Sequence, residues 1–291
     1  MSAVSPGSSS ELKPLSVTPP LREYLARVWR RREFAMSMAA GEFHAKNATM
    51  SLGGWWHLLN PLLQLGVYWL IFGVLLNVNR GVTNFVGFLA AGIFIFQYSQ
   101  RSITGGASSI SKNLSLIRSL QFPRALLPLS AVLRDALALR AALLVAITIL
   151  LVTGEGISVL WLIAIPIIFL QSLFNIGGAL IAARLADKVR DIENILPFVF
   201  RLLFYGSGVL FLADWFIENR LDNPALSQTF STLFLVNPLY CFISLARHYL
   251  MSTIEQQNVG IMWLSATAWS VAVFVLGLLF FRAGEATYGR G

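Results

Sequence analysis

The chain has 291 residues, is 56% hydrophobic and only 12% charged, and has a mean hydropathy of +0.67. A soluble domain carries about 25% charged residues, and here the apolar residues come in blocks of about 20, the length that crosses a hydrocarbon core. That excludes a soluble globular domain, and it excludes a transmembrane barrel, which would alternate in short segments.

The predicted fold class is an all-α integral membrane protein. The formal charge of +8 is assigned to cytoplasmic loops, where basic residues collect, and not to nucleic-acid binding. The single Cys241 excludes an intrachain disulfide and an all-cysteine metal site. Residues 1–20 hold Ser, Pro and Gly without a basic stretch leading into an apolar one. They predict a disordered cytoplasmic tail and no cleaved signal peptide.

Residues 21–57 form a predicted amphipathic interface region. In Arg22–Phe34, Leu21, Leu25 and Val28 recur at helical spacing beside Arg22, Arg27, Arg30, Arg31 and Arg32. Such a helix is too charged to span and suits the headgroup layer, with arginines meeting phospholipid. An ordinary soluble amphipathic helix is the alternative. Six transmembrane helices are then predicted over 58–282: Leu58–Leu76, Phe85–Tyr98 running on toward Ser108, Pro128–Val152, Val159–Ala183, Ile195–Ala213 and Ile261–Phe281. Residues 283–291 are a predicted cytoplasmic C-terminal tail.

With the N-terminus inside, the inner segments hold sixteen Lys and Arg and the outer loops hold three, Arg80, Arg220 and Arg247. The positive-inside rule then places both termini in the cytosol. Between the second and third spans, Ser109–Pro128 is basic, short and amphipathic, a cytosolic helix on which a partner can push. Thr229–Met251 is apolar but is split at Asn237-Pro238. Proline removes a backbone donor and crowds the preceding turn, so two re-entrant half-helices are expected on the outer side. A kinked seventh span is the alternative.

Charges inside spans cost about 2.5–3.5 kcal/mol each on insertion scales, so Arg134, Asp135, Arg140 and Arg201 should pair, snorkel or face the bundle. Asp135 is expected to pair with Arg201 or Arg140, or else Arg201 faces a water-filled path and attracts an anionic group. A plain structural ion pair is the competing reading. The aromatics Tyr68, Trp69, Phe72, Phe200, Phe204 and Phe211 are candidates to line a conduit for a sliding glycan, against ordinary packing or lipid contact. There is no G-x-x-x-x-G-K-[ST] element to cradle ATP phosphates. His44, His57 and His248 are scattered and offer neither metal spacing nor a base beside a nucleophile. No metal site and no catalytic residues are predicted.

Taken together, several elements resemble one family. Leu52, Gly53, Trp56 and Pro61 match an LG-x-x-W-x-x-x-x-P element at the first span. Ile93-Phe94 and Phe96 follow, then Ser109-Ile110, Asn113 and Leu116-Ile117. Phe122-Pro123-Arg124 with Leu127-Pro128 comes next, then Arg190-Asp191-Ile192 and finally Asn237-Pro238-Leu239 with Arg247. Their order and spacing resemble the ABC-2 type permeases of polysaccharide and teichoic-acid exporters over about residues 33–282. The fifth span departs from the family pattern: it reads Tyr205-Gly206-Ser207-Gly208-Val209, without a proline.

The resemblance implies a homodimer of six-span subunits in the bacterial plasma membrane, above two copies of an ABC ATP-binding subunit that carry ATP and Mg; no cofactor is expected in this chain. On that analogy Ser111, Lys112, Asn113, Leu114, Leu116, Ile117, Arg118 and Leu120 form a coupling helix docked on the ATPase, and the split segment forms outer gate helices. The implied cargo is a polyprenyl-pyrophosphate-linked glycan, with Arg27, Arg30, Arg31, Arg32 and Arg201 as candidate pyrophosphate contacts. Export of a small lipophile or drug, or a membrane glycan transferase, are the alternatives.

Overall fold

A computed structural model describes residues 20–48, 53–75, 82–220, 223–285 and 288. The expectations for most of the N-terminal tail, Leu52, the end of the first span at Leu76, Arg80 and much of 283–291 lie outside the described residues. For Lys46, His57 and Arg220 only the backbone is described.

The described residues are mostly helical, with no strand among them. In chain order the helices are α1 Leu21–Arg30, α2 Arg32–Ala48 and α3 Trp56–Tyr68, which continues as a π-helix over Trp69–Leu75. Then come α4 Phe85–Ala107, α5 Ser109–Lys112, α6 Leu114–Ser119, α7 Leu126–Val152, α8 Ala164–Lys188 and α9 Ile192–Gly206. Last are α10 Ala213–Arg220, α11 Pro224–Val236, α12 Pro238–Leu250 and α13 Val259–Arg282.

Among the described residues, four helices are long and apolar enough to cross a membrane: Leu58–Leu75, Leu126–Val152, Val159–Lys188 and Val259–Arg282. The bent pair α11–α12 would make a fifth if it counts as one span. Two of the six expected spans depart from the simple pattern. Helix α4 falls outside the set because its second half carries Gln97, Ser99, Gln100, Arg101 and Ser102, yet it is the buried centre of the bundle. The expected fifth span, Ile195–Ala213, is helical only to Gly206. Its fifteen residues rise about 22 Å, short of the roughly 30 Å hydrocarbon core. The stop is local: Gly206, Ser207 and Gly208 follow one another, and Gly208 takes φ +63°, a conformation that glycine adopts without a Cβ penalty.

α8 and α13 meet backbone to backbone. A Cβ on Gly177 would lie 2.3 Å from the carbonyl oxygen of Val273, and one on Gly277 would lie 2.3 Å from that of Gly177. α4 approaches α8 the same way, with Gly106 against Ala179. Small residues let membrane helices come this close. Along the bundle, one end, here called basal, carries α1, residues 108–125 and the turn after α13. The opposite, distal end carries residues 82–84, 153–158 and 251–258.

Candidate functional site

At the basal end, Ser109–Leu120 is two short helices and not the single helix expected. The break is at Asn113, whose amide donates to the Ser109 carbonyl (2.8 Å) and so holds the chain out of helical register. Ile110 and Ile117 point inward, into an apolar cluster with Tyr24, Leu127, Leu180, Phe281 and Tyr288. Leu114 and Leu116 pack at its margin. Ile117 therefore anchors the segment, while Ser111, Lys112, Ser115, Arg118, Ser119 and Leu120 are exposed. The outward surface is polar and carries two cations. Ser111 Oγ donates to Glu193 (2.8 Å), which ties α5 to the first turn of α9, beside Arg190 and Asp191.

The interface region is also broken, at Arg31, where α1 ends and α2 begins one residue later. The five arginines of the stretch do not act alike. Arg27 pairs with Glu23 one turn away (2.6 Å). Arg31 donates to the Gln121 carbonyl (2.5 Å), and Arg32 lies 4.9 Å over the Trp29 ring. Arg22 and Arg30 are exposed. The Phe34 and Phe122 rings are 5.2 Å apart, which brings the family-like Phe122-Pro123-Arg124 element against the start of α2.

Behind Arg124 lies Glu285. Its carboxylate accepts from Tyr24 Oη (2.9 Å) and from the Arg124 backbone N–H (2.7 Å). Its carbonyl accepts from the Arg124 guanidinium (2.6 Å). Burial raises the Glu285 pKa against the pull of these donors. Burial and the adjacent Glu285 also push the Tyr24 hydroxyl upward.

Within the bundle the expected partner of Asp135 is corrected. Asp135 pairs with its chain neighbour Arg134 (3.0 Å), and Arg134 reaches Glu42 of α2 (2.8 Å). Arg201 on α9 and Arg140 on α7 are both exposed, and the ion pair of the buried Asp135 is with Arg134. Arg201 is exposed, with its guanidinium 5.4 Å from the Phe198 ring.

The candidate conduit aromatics divide in two. Phe200 and Phe204 are 4% and 7% exposed and pack edge-on against Phe96 of α4. They hold α9 to the core. Tyr68 lies tilted against Phe204 (5.2 Å) and stacks with Phe72 (6.3 Å), and Trp69 is exposed. Phe211 sits apart, against Phe216 and Phe234.

The split segment breaks at Asn237-Pro238, where its sequence places the break. α11 and α12 meet at 86°. The Asn237 side chain caps α12 by accepting from the Leu239 (3.0 Å) and Tyr240 (3.5 Å) N–H groups, with Pro238 at the first position of the helix. Asparagine followed by proline is a strong helix start. The same amide donates to Ser207 Oγ (3.0 Å), which joins the bend to the end of α9.

Three residues whose structural roles sequence reasoning missed complete the frame. Arg247, expected in an outer loop, is 2% exposed. It donates to the carbonyls of Phe88 (3.1 Å), Gly208 (2.7 Å) and Val209 (2.5 Å). Gly92 clears the space: a Cβ there would lie 2.1 Å from the guanidinium. At the distal end Glu155 accepts from Ser252 N (2.9 Å), Ser252 Oγ (2.7 Å), Thr253 Oγ1 (3.4 Å) and Asn84 Nδ2 (3.5 Å). Burial works to raise its pKa, but these donors outweigh burial and leave it lowered. Glu285 is the third. Only Gly92, a glycine inside an apolar run, gave any local sign.

Among the described residues no cluster of His, Cys, Asp and Glu could hold a metal ion. Among the described residues, the outward surface of α5–α6 carries Lys112 and Arg118, and Arg140 on α7 and Arg201 on α9 are exposed within their helices.

No protein-family model matches the chain. Two O-antigen export system permease proteins RfbA from Klebsiella pneumoniae are each 29% identical over 203 residues, 69% of this chain and 73% of theirs. An O-antigen export system permease protein RfbA from Myxococcus xanthus is 26% identical over 138 residues, 46% of this chain and 52% of that protein. These matches agree with the motif resemblance and with the apolar helices: the chain is an integral membrane protein similar to O-antigen export system permease proteins.

Proposed function

We propose that this chain is the membrane subunit of an ATP-driven exporter that moves a polyprenyl-pyrophosphate-linked polysaccharide outward across the bacterial plasma membrane. It works as a homodimer on two ATP-binding subunits, with six spans, cytoplasmic termini and α11–α12 as the outer gate. The observation that carries the coupling is the α5–α6 pair. It is anchored by Ile110 and Ile117 while Lys112, Ser115 and Arg118 face outward. A surface held rigidly from behind and polar in front can pass a push to the bundle. It couples ATP use to transport only if its docked contacts differ between the two nucleotide states.

Arg201 supports the cargo reading. A cation at mid-depth on a face not covered by its own chain needs water, a partner or an anion beside it. A diphosphate entering along α3 and α9 supplies that charge. Trp69, Tyr68 and Phe72 lie on the same side, on the first span, and offer faces to sugar rings.

The test is Lys112→Glu with Arg118→Glu in the permease reconstituted with its ATP-binding subunit. Export and cargo-stimulated ATP hydrolysis should be lost, with lipid-linked glycan accumulating in the cytoplasm, while the permease dimer persists. Full export by the double variant overturns the coupling role. Arg201→Ala with undiminished export overturns the role of Arg201.

A further inference from the structure

The turn after α13 joins two elements that the proposed coupling mechanism treats separately. Glu285 accepts from Tyr24 of α1 through one carboxylate oxygen and from the Arg124 N–H, just past α6, through the other. Its carbonyl takes the Arg124 guanidinium. Two residues flank this knot: Tyr288 donates to the Phe281 carbonyl (2.7 Å) and is fully buried, and Tyr24 is 2% exposed. Both belong to the cluster that holds Ile117. A second link runs from Arg31 to the Gln121 carbonyl. No side chain of α1 other than Tyr24 is buried, so α1 has few other holds on the bundle.

From this geometry we infer that Glu285 is a positioning residue that clamps the interface helix α1 to the segment following the coupling helices, so that the two move as one body. This deepens the proposed coupling and rests on it for its consequence. A displacement of α6 by the ATP-binding subunit carries α1 with it, and with α1 the headgroup-level arginines Arg22, Arg27 and Arg30. The entrance for an anionic lipid-linked cargo then changes shape when nucleotide binds. Without Glu285 the two elements keep their separate folds but lose their shared register.

The test uses the full chain in lipid vesicles, with spin labels at Ala26→Cys and Ser115→Cys. Both sites are exposed, and the native Cys241 is fully buried and does not compete. Pulsed electron–electron resonance should give one narrow distance in the parent protein. Glu285→Ala should lose that narrow distance. Tyr24→Phe removes one hydroxyl and leaves the ring in place; it should lose it as well and guards against a variant that does not fold. A narrow distance in both variants, equal to the parent, overturns the clamp. Adding the ATP-binding subunit and ATP separates the two layers. A nucleotide-dependent change in the α6 environment that reaches α1 in the parent but not in Glu285→Ala supports the clamp as a coupling part. If nucleotide leaves the parent unchanged while Glu285→Ala still loses the narrow distance, the proposed ATPase coupling is overturned and the clamp geometry stands.

Discussion

The guanidinium of Arg247 lies 3.3 Å over the centre of the Phe88 ring and fills space that Gly92 leaves open. One side chain thereby binds α12 to α4 and to the non-helical turn at Gly208 and Val209. Three carbonyl acceptors and an aromatic face offset the cost of burying this cation.

Arg247→Leu should therefore lower stability by roughly 3 kcal/mol or more, since each carbonyl stripped of a buried charged donor costs about 1–3 kcal/mol. Arg247→Lys should recover only part, because an ammonium is a point charge and cannot fork to diverging acceptors. Thermal unfolding in detergent measures both. A leucine variant that melts with the parent refutes the assignment.

Asn237 has two jobs that substitution can separate. Asn237→Asp keeps the oxygen that caps α12 but loses the amide that donates to Ser207. Asn237→Ala loses both and should cost about 1 kcal/mol for the cap alone. The alanine variant should melt below the aspartate variant; since neither keeps the amide donor to Ser207, the reverse order would refute the capping role.

Glu155 carries a pH dependence with a definite sign. Its pKa is lowered in the folded protein, so the native state holds the carboxylate more firmly than the unfolded chain does. Its contribution is present above the ordinary carboxylate pKa and fades as pH falls through the lowered value. Glu155→Gln should flatten the acid limb of the stability curve and leave the alkaline limb alone. An unchanged acid limb rules out this role.

The Glu42–Arg134–Asp135 chain predicts an asymmetry. Glu42 is partly exposed, so Glu42→Gln should cost less than about 1 kcal/mol. Asp135 is 8% exposed, so Arg134→Ala takes a cation from a buried carboxylate and should cost about 3–5 kcal/mol. Adding Asp135→Asn should restore part of that loss. Additive losses in the double variant would show that the two side chains are not coupled.

What the sequence disclosed follows the range of the interactions. The long spans showed themselves because twenty apolar residues in a row have few other uses. Asn237-Pro238 was legible because a cap and its helix lie within three residues of each other. The early end of α9 was marked by Gly206 and Gly208, but an apolar count runs straight through them. Asp135 was misassigned because three arginines stood at plausible distances and only the packed bundle chooses among them. The buried role of Arg247, which the sequence marked only as part of a motif, and that of Glu285 were not legible for a plainer reason: the partner of Arg247 on α4 is 159 residues away, and those of Glu285 are 161 and 261 away.

The seam between α8 and α13 has a genetic corollary. At Gly177 and Gly277 a hydrogen atom stands where any other amino acid would place carbon against the opposite main chain. Every missense change in either codon, however conservative by the usual scales, inserts a wedge between two rods that touch without side chains. Natural variants at these two positions should therefore be nearly absent, and those that survive should carry a compensating loss of bulk across the seam.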